Sequence, residues 1–254
     1  MIIDSSAYIG NWPFWNIPHL DVSGDGLVEL MNRYSIGKSV IISLDSILYD
    51  DEVGNELTFN AAKAHPDRLF PAVTVSPTNI CRDGPAYLES LVRRGAVALK
   101  LYPFYHSFNL SSSNQKLKKL LCCAQELKVP VCLPVRLFMN WGLPALSVGS
   151  IQDIVTAYPE IRFLVENFNA GEFLPLVTLA EQAENLFLGT AALTRYRGVY
   201  DMVMRLGGER VIGGMCAPVQ YPNCGIIKIS QSEIEPCSQS LLLGDNSMRL
   251  FGIA

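Results

Sequence analysis

Lys100 has the strongest claim on chemistry in this chain. It interrupts the apolar run 96–102, on the alternating face of Ala96, Ala98 and Tyr102, with Val97, Leu99 and Leu101 on the other. A lysine desolvated there has its charged form disfavoured and becomes a candidate Schiff-base nucleophile. The competing expectation is a buried ion pair with Asp4, which shares the alternating face of Ser6 and Tyr8. Cys216 is a candidate thiol nucleophile with His106 or His19 as its base, or else a buried and inert cysteine. Arg136 and Arg195 offer guanidinium forks that match a carboxylate or phosphate, or they are solvated loop arginines. Glu166 precedes Asn167, so strict alternation turns the two to opposite sides and sends Glu166 toward Arg162 or a backbone group. Residues 11–19 carry Trp12, Phe14 and Trp15, an aromatic content that suits the roof of a pocket, a satellite core or a subunit contact.

These residues need a scaffold, and the hydrophobic pattern supplies one. Strand-like runs at 2–4, 39–44, 69–75, 96–102, 130–135, 161–166, 186–190 and 210–214 alternate with helix-like stretches at 26–34, 56–64, 86–93, 115–128, 151–158, 173–183 and 196–206. Eight apolar strands with crossover helices predict a parallel α/β fold, a single (β/α)8 TIM barrel spanning 1–254, with an open doubly wound sheet as the runner-up. No GxGxxG follows the first strand, which disfavours a dinucleotide fold. Ser150 with Asp153 predicts a capping box, and Gly95 and Gly207-Gly208 predict helix ends. In a barrel, function sits in loops that follow strands. That rule puts His19, His106, Arg136 and Arg195 on the functional face, and makes His65 a structural, helix-end histidine.

Composition narrows the partners. Hydrophobic residues are 49% of the 254 and charged residues 17%, with a formal net charge of -4 and no basic run. Nucleic acid and membrane surfaces are therefore not expected partners, and a small-molecule ligand is. Asp4 interrupts the opening apolar stretch, and no apolar run is long enough to span a bilayer. The seven cysteines are odd in number and lack a CxxC pair, which predicts reduced thiols and a cytoplasmic location.

Several segments together resemble the amidohydrolase-related family of metal-dependent TIM-barrel hydrolases and decarboxylases, over almost the whole chain. Met1-Ile2-Ile3-Asp4-Ser5-Ser6-Ala7-Tyr8-Ile9-Gly10 is similar to that family's opening strand, with Ser6 and Tyr8 at its two histidine positions. His65-Pro66-Asp67-Arg68 and Gly95-Ala96-Val97-Ala98-Leu99-Lys100-Leu101-Tyr102-Pro103 match two further segments. Pro134 stands at the histidine of the fifth strand, Asn167 at that of the sixth, and Cys216 at the aspartate of the Gly-Ser-Asp-x-Pro segment. The tail around Gly244-Asp245-Asn246 is similar to the closing helix.

The resemblance thus implies the barrel and a degenerate metal site, because Ser, Tyr, Pro, Asn and Cys are a poor set for a catalytic zinc. The resulting expectation is a metal-free pseudoenzyme without cofactor. It binds a small, uncharged or weakly anionic organic molecule through Ser6, Tyr8, Trp12, Trp15, Tyr102, Arg136, Asn167 and Arg195. Metal-independent hydrolase or lyase chemistry through Lys100 or Cys216 is the alternative. A metal-dependent hydrolase or decarboxylase with an atypical set of Cys216, Tyr8 and a loop histidine stands third. A homo-oligomer, or a helper of an active homologue, fits the same reading.

Overall fold

A computed structural model describes residues 1–11, 22–137 and 144–253. Eight parallel strands pair in sequence order. They are β1 (Ile2–Ile9), β2 (Ile36–Ser43), β3 (Leu69–Val73), β4 (Ala98–Lys100), β5 (Val131–Pro134), β6 (Phe163–Glu166), β7 (Leu186–Gly189) and β8 (Val211–Ile212). Helices α1 (Gly24–Arg33), α2 (Leu44–Leu48), α3 (Asp51–Ala64), α4 (Gly84–Arg93), α5 (Gln115–Glu126), α6 (Val148–Ala157), α7 (Ala170–Gln182) and α8 (Gly198–Leu206) fill the crossovers. The expected (β/α)8 barrel is present.

Local sequence starts these helices. Ser23, Ser43, Asp50, Asp83, Asn114 and Ser147 each accept a first-turn N–H at the N-cap of α1 through α6. The cap of α6 corrects the expected Ser150/Asp153 box. Ser147 Oγ takes Ser150 N, and Asp153 instead accepts from Ser111 and Ser112 in the loop before α5. His65 closes α3 and meets Asp25 at 2.7 Å, the helix-end role expected of it.

The interior layer comprises Val40, Ile42, Ala72, Ala98, Tyr102, Cys132, Leu164 and Ile212, while Leu99, Leu101, Val131, Leu133, Phe163 and Val165 face the helices. The expected alternation in the fourth strand holds from Ala98 onward. Before it, Ala96 packs outward and Val97 against the inner cluster, because the strand begins only at Ala98. β1 is longer than the expected 2–4. Its register runs from Asp4↔Ser39 to Ala7↔Ile41, so an extra residue bulges at Ser5-Ser6 and carries the polar stretch within the ladder.

The seam between β8 and β1 is closed by Ser5 N to Gly213 O, Tyr8 N to Ala217 O, and by the Asp4 carboxylate, which accepts from Met215 N at 2.7 Å and Ala217 N at 3.1 Å. After β8 come three helices without counterparts in the sequence reading of the crossovers, α9 (Pro222–Ser230), α10 (Pro236–Ser240) and, after a π turn, α11 (Asn246–Phe251). α11 brings Leu250 and Phe251 onto the inner cluster as the expected closing helix. Gly213 is required under this segment, since a Cβ there would lie 2.2 Å from Leu242 O. Among the described residues no helix is long and apolar enough to cross a membrane.

Candidate functional site

The carboxyl ends of β1, β6 and β8 converge on one buried hydrogen-bonded group. Asn167 Nδ2 donates to the Tyr8 hydroxyl at 2.9 Å and to Leu137 O at 3.2 Å, and the Tyr8 hydroxyl donates to Leu137 O at 3.3 Å. The Cys216 thiol donates to Asn167 Oδ1 at 3.3 Å and lies 3.8 Å from Ser6 Oγ. Ser6, Tyr8, Asn167 and Cys216 are all buried. The structure therefore brings together four of the five positions singled out by the resemblance. The fifth, Pro134, ends β5 and has no side-chain donor.

Backbone geometry explains how these side chains reach the interior. Asn167 (φ 57°), Ala192 (φ 57°) and Cys216 (φ 55°) adopt the left-handed conformation just past β6, β7 and β8. A left-handed residue breaks strand alternation, so Glu166 and Asn167, adjacent in sequence, both point inward. This corrects the outward placement expected for Glu166. Arg162 donates to Lys128 O and Arg249 O rather than to Glu166.

Glu166 is instead the partner of Lys100, with Nζ donating to Oε1 at 2.5 Å and both side chains 0% exposed. The expected Lys100–Asp4 pair is replaced because the Asp4 carboxylate is engaged by Ser6 N, Met215 N and Ala217 N. Burial alone would lower the Lys100 pKa, but the Glu166 carboxylate holds it well above the ordinary lysine value. Burial raises Glu166, with Lys100 countering. A lysine kept protonated in this way is not a free amine for Schiff-base chemistry.

Burial also pushes the Cys216 thiol up to about 12 and the Tyr8 phenol well above its usual value. No hydrogen bond joins Cys216 to His106, whose Nε2 meets Ser46 O at 3.1 Å and whose ring stands edge-on to Tyr102. Among the described residues no group of three His, Cys, Asp or Glu side chains is placed to hold a metal ion. Trp12, Trp15 and His19 lie outside the described residues.

Both arginines pair with carboxylates of this chain. Arg136 grips Glu172 through two bonds of 3.0 and 2.8 Å, and Glu172 also accepts Asn169 N in the capping box of α7. Arg195 bonds Asp201 at 3.0 Å and stacks over Phe173. Tyr102 and Arg136 both line a hollow of about 10 Å³, with Pro134 and Leu137.

Lys228 on α9 has no place in the sequence reading, yet it lies close enough to Cys216 to interact with it electrostatically. Its Nζ donates to Thr190 O at 2.8 Å at the end of β7, and no carboxylate among the described residues lies within ion-pair distance. Burial lowers its pKa. The only sequence signal was an isolated lysine in the apolar stretch Gly225-Ile226-Ile227-Lys228-Ile229.

His106 makes a checkable contribution to pH dependence. Burial lowers its pKa below the unfolded value of about 6.5, so between those two values the unfolded chain binds a proton that the folded chain refuses. Stability should fall as pH drops through ~6.5. Urea unfolding at successive pH values checks this, because His106→Gln should flatten that part of the profile. An unchanged profile would assign the slope elsewhere.

No family model matches the chain, and no curated protein matches it. Solved structures do. One is a 2,6-dihydroxybenzoate decarboxylase from Rhizobium, 12% identical over 99% of this chain and 98% of that one, with a TM-score of 0.80. Another is a dihydroxybenzoic acid decarboxylase from a Polaromonas species, with bound manganese and the inhibitor 2-nitroresorcinol, 14% identical over 99% and 96%, TM-score 0.80. A third is a probable 2-pyrone-4,6-dicarboxylic acid hydrolase from Acinetobacter baumannii with citric acid bound, 15% identical over 99% of both chains, TM-score 0.73. At these identities the likeness is one of fold, and it runs end to end: this chain has the (β/α)8 barrel of those decarboxylases and that hydrolase, the barrel the resemblance implied.

Proposed function

We propose that this chain binds a small organic molecule at the carboxyl-terminal mouth of its barrel and does so without metal-dependent hydrolysis. The observation that carries the reading is the bonding of Ser6, Tyr8, Asn167 and Cys216 to one another. A metal of the kind this fold holds in its manganese-bound neighbour would need imidazole, carboxylate or thiolate donors. The donors here are a hydroxyl, a phenol, an amide and a single thiol, and the amide and thiol bond each other. They do not fit a catalytic zinc or manganese.

The ligand class follows from the groups gathered at this end of the barrel. Neutral hydrogen-bonding groups suit an uncharged or weakly anionic molecule, and Lys228 adds a cation without a carboxylate partner. Neighbouring barrels hold 2-nitroresorcinol and citric acid, both small oxygen-rich molecules.

Two measurements test the proposal. Metal analysis by inductively coupled plasma mass spectrometry, after growth with added zinc and manganese, should find no stoichiometric metal. A stoichiometric metal lost on Cys216→Ala with Tyr8→Phe would restore metal-assisted chemistry. A thermal-shift screen of hydroxylated aromatic acids and small carboxylic acids should then find stabilising ligands. Lys228→Met should weaken binding of the carboxylates among them about tenfold, ~1.4 kcal/mol. Absence of any shift across such a library would remove the binding role.

A further inference from the structure

The ammonium of Lys100 has three N–H donors and uses one of them on Glu166 Oε1. The other carboxylate oxygen, Glu166 Oε2, is buried and accepts from no protein group among the described residues. Both side chains are fully enclosed, so neither the remaining N–H groups nor Oε2 reach bulk solvent. Leaving such a group unpaired is costly, and more so when it is charged. A pair of this kind is tolerable only where its remaining hydrogen-bonding capacity is met.

We infer that the barrel core contains a binding site for one water molecule, bridging Lys100 Nζ and Glu166 Oε2. The chemistry selects the ligand. It must accept from an ammonium and donate to a carboxylate oxygen, and water does both. A second anion would face the Glu166 and Asp4 carboxylates, and a cation would face Lys100, all within the same buried interior. An apolar molecule would leave both orphans unmet. Size selects as well, because both side chains of the pair are fully enclosed and Cys132, the sheet partner of Lys100, is buried beside them. The site is independent of the mouth, and it stands whether or not a ligand binds there.

The test is a crystal structure of the full chain at a resolution that shows ordered solvent. The expected result is one solvent peak within about 2.7–3.2 Å of both Lys100 Nζ and Glu166 Oε2. Clear density for both side chains with no peak between them, or with Oε2 bonded to a protein donor, overturns the inference. In solution, oxygen-17 relaxation dispersion should count one fewer long-lived water in Lys100→Met/Glu166→Leu than in the unaltered chain. An equal count in a folded double variant also overturns it. If that variant does not fold, the crystal density of the unaltered chain decides alone.

Discussion

Replacing Lys100 with Met should lower folding stability by about 3–5 kcal/mol, the cost of leaving one buried charge without its counter-ion. The carboxylate left behind, Glu166, sits where burial already favours its neutral form. It would therefore take up a proton in the folded variant and not in the unfolded chain. The sign of the pH dependence follows: with the folded pKa raised, the deficit is largest above that pKa and narrows as pH falls toward the unfolded carboxylate value of about 4.3. Glu166→Leu alone should cost a similar amount, for the mirror reason that a buried ammonium loses its anion. The two together should return most of the loss, since a well-packed apolar pair commonly equals or exceeds a buried ion pair in stability. Urea unfolding of all four proteins gives the coupling energy. If the double variant is as unstable as the sum of the singles, the pair is not the unit described here.

Asp4→Ala should cost about 3–5 kcal/mol, for a different reason. The Asp4 carboxylate accepts three backbone N–H groups, one within β1 and two from the segment after β8. Removing it orphans the amides of Ser6, Met215 and Ala217 at about 1–3 kcal/mol each, partly offset by relief from burying the charge. Because two of those amides form the seam, the loss should be local as well as global. Amide exchange at Met215 and Ala217 should speed up more than at strands on the far side, such as β4 and β5. A stability change below ~1 kcal/mol, or uniform exchange, would mean that the Ser5–Gly213 and Tyr8–Ala217 bonds suffice to close the barrel.

Much of the fold was legible because each strand carries its own signal. Runs such as Ala98-Leu99-Lys100 and Val131-Cys132-Leu133 need only a sheet inside and helices outside to explain them. The site was legible in membership and not in pairing. Lys100 was picked out by its place in an apolar strand, but its partner lies 66 residues away and two strands along the barrel. Asp4, the partner suggested by proximity of faces, is engaged by amides that no side-chain pattern reveals. Glu166 was misplaced because alternation is a rule for extended backbone, and Asn167 leaves it. The two arginine forks illustrate the same limit. Their carboxylates, Glu172 and Asp201, belong to helices whose rotation about their axes is set by packing.

The left-handed strand ends have a consequence for protein design. Outside glycine, that backbone region is entered most readily by asparagine, aspartate and histidine. The resemblance puts a histidine at 167 and an aspartate at 216, so at both positions the main chain is already bent into a shape those residues tolerate. A programme to install a metal in this barrel would meet little backbone resistance there. Its hardest step would be at Pro134, whose replacement by histidine introduces a new N–H into β5 and must find it an acceptor.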